Sequence, residues 1–122
     1  MKAFVSYARK DEEQVRLLQH DLEELCAVPP WIDRELAGGQ PWWNEILHQI
    51  RTADVFVLAA SRSSLASAAC LAELEYALAA RRHLLPVMVA DLDLATAPDP
   101  IRGTQLIDYR QRTADAAIQL AR

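Results

Sequence analysis

Glycine is scarce in this chain, with three residues in 122, at positions 38, 39 and 103. That excludes the Walker-type phosphate loop and the dinucleotide-binding glycine fingerprint, both of which need glycines at fixed spacing for close backbone approach. Cysteine is scarcer still. Cys26 and Cys70 form neither a CxxC pair nor zinc-ligand spacing, so they read as reduced thiols in a cytoplasmic protein, and no metal is expected. No apolar run approaches the roughly 20 residues that span a bilayer. Met1-Lys2-Ala3-Phe4-Val5 passes straight into a strand-like segment instead of a signal-peptide core, so no membrane partner is expected. A stripe of Lys and Arg is also missing, and the net charge is −4, which argues against nucleic acid as a partner. The densest basic cluster, Arg81-Arg82-His83, reads as a solvated helix C-terminus, where cations complement the helix dipole.

What is present fits a single domain over residues 1–122. With 52% hydrophobic and 25% charged residues, the chain is long enough to bury a core without disulfides. Apolar runs alternate with amphipathic patterns. Residues 3–7 read as a buried strand. Asp11 has the place of an N-cap, with Gln14 completing a capping box, and residues 12–26 carry Val15, Leu18, Leu22 and Leu25 at helical spacing. A weaker strand is expected over 27–32, shortened by Pro29-Pro30. Residues 33–40 form a loop, and Pro41 opens a helix whose apolar face is Trp43, Ile46, Leu47 and Ile50. Val55–Ala60 is the clearest strand. Residues 61–64 read as a polar loop, 65–82 as one long helix, 84–90 as a strand, 91–103 as a long loop, 105–109 as a strand, and the segment after Thr113 as a final helix.

This alternation implies βαβ crossovers and parallel pairing. The expected fold is α/β: a three-layer, flavodoxin-like arrangement in which a five-stranded parallel sheet, order 2-1-3-4-5, carries helices on both faces. Ligand sites in such sheets lie at the carboxyl ends of the strands, at the switch point between strands one and three. Here those ends are Ser6 to Arg9 and Ala60 to Ser64. The candidate binding residues are therefore Ser6, Tyr7, Ala8 and Ser61, beside the first turn of the third long helix.

Several segments then match one family in order. Phe4-Val5-Ser6-Tyr7 followed by Asp11, Trp31-Ile32-Asp33 followed by Leu36, Gly38-Gly39 and Trp42, Ile50 through Val57, Cys70-x-x-Glu73-Leu74, and Leu85-Pro86-Val87 together resemble TIR (Toll/interleukin receptor) domains of the compact bacterial type. The resemblance covers nearly the whole chain. It implies one of two activities. Many TIR domains cleave NAD⁺ at the nicotinamide–ribose bond upon self-association and act as effectors of immune-like, anti-phage signalling. Others are non-catalytic adaptors that assemble with further TIR domains. By position, Glu73 corresponds to the family's catalytic glutamate. NAD⁺ is then a substrate, and no cofactor is required. Asp33, Arg34, Glu35, Leu36, Gly38 and Gly39 correspond to the BB loop, through which copies meet, and Asp33 and Trp42 adjoin the substrate. Many NAD⁺-cleaving relatives carry an aromatic residue four positions before the glutamate, where this chain has Ala69.

The chemistry is self-consistent. Nicotinamide leaves NAD⁺ as a neutral molecule, so no acid has to protonate it. The transition state is oxocarbenium-like, and one carboxylate near the ribose supplies the charge it needs. Cys70 and Ala69, further candidate substrate-binding residues, precede Glu73 by three and four residues, on one helix face. With Ala66, Ala77 and Ala80 on the same face, the small neighbours leave room for a sugar. Cys70 itself reads as a packed thiol, because no histidine is placed to activate it. Trp43 reads as core, and Trp42 as exposed. Tyr7 either lines a base pocket or packs. The competing receiver fold needs acidic groups after strands one and three, where this chain has Ser6-Tyr7-Ala8 and Ala59-Ala60-Ser61.

Overall fold

The computed structural model describes residues 2–26, 31–32, 40–95, 97–102 and 106–111. Along the chain run β1 (Ala3–Ser6), a 3-10 turn (Arg9–Asp11), α1 (Glu12–Cys26), β2 (Trp31–Ile32) and α2 (Gln40–Thr52). Then follow β3 (Val55–Ala60), α3 (Arg62–Leu65), α4 (Ala68–Ala79), β4 (His83–Met88), α5 (Asp99–Arg102) and β5 (Ile107–Asp108). The strands form one sheet in the order β2-β1-β3-β4-β5, and every neighbouring pair is parallel. β1, β3 and β4 carry most of the pairing, while β2 and β5 contribute two residues each.

The strands are buried on both sides, which is why they read as unbroken apolar runs instead of alternating ones. All of Ala3–Ser6 and all of Val55–Ala60 are buried. Their side chains still alternate between two cores. Ala3, Val5, Val55, Val57 and Ala59 pack with Val15, Leu18 and Leu22 of α1. Phe4, Phe56, Leu58 and Ala60 face the other way and pack with Ile46 and Ile50 of α2, Leu74 and Ala77 of α4, and Ile101 of α5. The sheet is thus clad by α1 on one face and by α2, α4 and α5 on the other. Register places Phe4 beside Phe56, and their rings stack with centroids 5.5 Å apart, a contact of about 0.5–1.5 kcal/mol beyond area burial.

Several expected boundaries move. β1 stops at Ser6, one residue early, and β4 spans His83–Met88 rather than 84–90. The expected helix over 65–82 is two helices, and the expected loop at 61–64 belongs to the first of them. Ser61 caps α3, and its side chain and that of Ser64 form a reciprocal capping box. Ser67 caps α4 by accepting from the Cys70 N–H at 3.3 Å. Serine competes for local backbone bonds, and here it restarts the helix twice. α5 lies inside the expected loop, with Pro100 as its second residue, a position proline tolerates. Asp11 closes the 3-10 turn, and its carboxylate is committed elsewhere, as shown below. The final helix after Thr113, residues 27–30 and the loop at 33–39 lie outside the described residues.

α4 ends in a Schellman arrangement. The Arg82 N–H donates to Ala77 O at 2.9 Å and the Arg81 N–H to Leu78 O at 3.0 Å. Arg81 sits at φ 59, the left-handed position usually given to glycine. Arg82 is not simply solvated. Its Nε donates to Ala80 O at 3.0 Å and its Nη1 to Ala53 O at 3.2 Å, tying the helix end to the entrance of β3.

Candidate functional site

Buried polar side chains are exceptions that need partners. Among the described residues they are Ser6, Asp11, Asp21, Ser61, Ser64 and Glu73. All but Asp21 gather at the carboxyl ends of β1 and β3, at the switch point of the sheet. Ser6 is the last residue of β1 and wholly buried; Glu73, on α4, is 1% exposed. Ser6 Oγ donates to Glu73 Oε1 at 2.6 Å, in the short range of charge-assisted hydroxyl–carboxylate bonds. α4 turns its Cys70, Glu73, Leu74 and Ala77 side inward, so a carboxyl at this helical position must meet the strand end.

A second bond spans the same crevice. Ser61 Oγ donates to Asp11 Oδ2 at 2.5 Å, linking the turn after β1 to the cap after β3. Ser61 Oγ also accepts from the Ser64 N–H at 3.0 Å, and the Ser61 N–H donates to Ser64 Oγ at 2.9 Å. The Arg62 N–H donates to Asp91 O at 3.0 Å, which ties α3 to the segment after β4. At the outer rim Arg110 pairs with Asp91 at 2.9 Å and with Asp108 at 2.7 Å. Side-chain and backbone donation from Arg110 hold the Asp108 carboxyl below its ordinary range, and the two carboxylates raise the pKa of the guanidinium. No three His, Cys, Asp or Glu side chains among the described residues come together to hold a metal ion.

A switch-point crevice with a buried serine–glutamate pair on a parallel sheet can be compared with known proteins. The family model for the TIR domain matches residues 3–121. The chain belongs to the TIR domain family. No curated protein matches it at the level of sequence. Among solved structures, the TIR domain of the Toll-related receptor TRR-2 from Hydra magnipapillata is 15% identical. It aligns over 90% of this chain and 85% of its own, with a TM-score of 0.72. The TIR domains of the activated Roq1 resistosome, which recognises the pathogen effector XopQ, are 21% identical over 98% and 81% of the two chains, TM-score 0.64. The CMP N-glycosidase BcmB from Clostridium botulinum is 19% identical over 84% and 79%, TM-score 0.61.

Within this TIR domain, the residues singled out from sequence are placed unevenly. Ser6, Ser61, Cys70 and Glu73 are buried, and Tyr7 and Ala8 are half-buried just beyond β1. Tyr7 packs against the α1-side core. Cys70 is a buried thiol one turn before Glu73. Ala69 is exposed, Ala66 caps the end of α3 and so lies off the glutamate's helix, and Ala77 is buried. The roomy small-residue face expected around the carboxyl is therefore not one continuous face. Trp43 packs at the edge of the α2–α4 core, half-buried. Asp33, Arg34, Glu35, Leu36, Gly38, Gly39 and the Trp42 side chain lie outside the described residues. A groove of about 470 Å³ opens nearby, lined by Arg62, Leu65, Leu71, Leu92, Asp93 and Pro98. It neighbours α3 and the start of α4, and Glu73 is not in its lining. From its place in the sequence Asp11 reads only as a cap, and Ser64 only as part of a polar strand-end loop. The S-x-x-S spacing of Ser61 and Ser64 was a readable cap signal, whereas nothing local announces the long-range bond from Ser61 to Asp11.

Proposed function

We propose that this TIR domain cleaves the nicotinamide–ribose bond of NAD⁺ when copies associate, with Glu73 as the catalytic residue, and serves as the effector of an immune-like signalling system. The observation that carries the reading is a buried carboxyl at the switch point, anchored to the end of β1 by Ser6 at 2.6 Å. This is the kind of place where α/β sheets bind nucleotides. In the reaction the C1′–N bond breaks and its electron pair leaves with neutral nicotinamide. Glu73 then faces the positive charge on the ribose. Water closes the new bond at C1′ and loses a proton to solvent, or a ring nitrogen of the adenine on the same ADP-ribosyl group closes it, with the proton lost to solvent coming from that adenine's exocyclic amino group. The N-glycosidase named above, by its name, works on a bond of this type, which lends the reading chemical company on the same fold.

The test is nicotinamide release from NAD⁺ by concentrated or artificially clustered protein. Glu73→Gln keeps the size of the side chain and removes its charge. It is expected to lower the rate by about a hundredfold or more, by analogy with other lost electrostatic stabilisers, while leaving the fold intact by circular dichroism. Undiminished release by the variant would refute the assignment.

One observation favours a second reading, a non-catalytic assembly module. Glu73 is 1% exposed in the single chain, so a ribose reaches its carboxyl only if the crevice opens. No release even from forced assemblies, with self-association retained, would establish that role.

A further inference from the structure

Resting on the catalytic reading of Glu73, we infer that Ser6 is a positioning residue for that carboxylate and not a contact for the substrate. Three observations converge. Ser6 is wholly buried as the terminal residue of β1. It is therefore held by the parallel ladder, opposite Leu58 of β3, and not by a mobile loop. Its hydroxyl donates to Glu73 Oε1 at 2.6 Å across 67 residues of sequence. Phe4 of β1, Phe56 and Leu58 of β3 and Leu74 of α4, on the pair's own elements or the strand beside them, belong to one buried apolar cluster.

A glutamate side chain has three rotatable bonds, and holding it in one geometry costs entropy that a fixed donor offsets. Burial also strips the carboxyl of water, and the serine hydroxyl replaces part of that solvation. Ser6 thus does for Glu73 what a second layer of hydrogen bonds does in a preorganised site: it fixes the direction from which the charge meets the ribose. Its size matters too. Any longer side chain at the end of β1 would displace the carboxyl it has to reach.

The experiment compares the full chain with Ser6→Ala, which deletes one oxygen from a buried site. Steady-state NAD⁺ cleavage by clustered protein is expected to show kcat lowered about ten- to a hundredfold, the scale of a misplaced catalytic group, with KM within about twofold. A substrate-binding role would instead raise KM. In parallel, urea unfolding of wild type, Ser6→Ala, Glu73→Met and the double variant reads the pair without any activity. The midpoint shift caused by Ser6→Ala is expected to shrink by at least half in the Glu73→Met background. Additive midpoint shifts, or a Ser6→Ala protein that keeps the wild-type kcat, would overturn the positioning role. A wild-type protein that releases no nicotinamide in any assembly would overturn the catalytic reading of Glu73, and the positioning role with it.

Discussion

Ser61 concentrates several tasks in one hydroxyl. It caps α3, receives the Ser64 N–H, and donates to the buried carboxylate of Asp11. Ser61→Ala removes a cap, usually about 1 kcal/mol, and leaves a buried carboxylate without its donor, about 1–3 kcal/mol more. A loss of roughly 2–4 kcal/mol in urea unfolding is expected, large against the 5–15 kcal/mol that holds a typical domain folded. At this scale the sequence was partly legible. Glu73 and Ser6 emerged from strand-end reasoning and family resemblance, and the structure brings them into contact. Asp21 did not emerge. It reads as one more acid on a charged helix, yet it is 8% exposed and accepts from the hydroxyl of Tyr109, a partner 88 residues away. A bond of that span leaves no local trace in the sequence.

The elements divide into those set by local signals and those set by tertiary context. The bounds of α1 and β3 agree with their sequence patterns, because each is a long, consistent run of one periodicity. The division between α3 and α4 went unread because an Ala- and Leu-rich stretch has high helical propensity throughout, while three serines, Ser61, Ser64 and Ser67, decide where the helices begin. At the other end of α4, Arg81 holds a left-handed conformation at φ 59, which costs a residue with a β-carbon roughly 1–2 kcal/mol. Arg81→Gly relieves that strain and gives back part of it as unfolded-chain entropy. A net gain of about 0.5–1 kcal/mol is expected, read as a higher urea midpoint with an unchanged m-value. Arg81→Val at the same place should lower the midpoint.

At the scale of the whole molecule, the described strands are buried on both faces, and among the described residues most buried polar side chains lie in a seam along the carboxyl ends of β1 and β3. In the single chain that seam is shut around Glu73. If contact between copies opens it, nicotinamide released per molecule should rise with protein concentration, and should rise again when the domain is fused to a constitutive oligomer. A specific activity constant across a hundredfold dilution would show that association plays no part. The parallel order of the sheet was legible from the alternation of patterns alone. The closure of the seam was not, since it depends on side chains brought together from β1, the turn after it, α3 and α4. Finally, the three tryptophans of the chain, Trp31, Trp42 and Trp43, all fall in β2 and the opening turn of α2. They bracket the segment through which we propose copies of this domain meet, so emission excited beyond the absorption of the tyrosines comes from that flank. A change in its colour or polarisation on adding NAD⁺ or crowding the solution would therefore report on the surroundings of that flank.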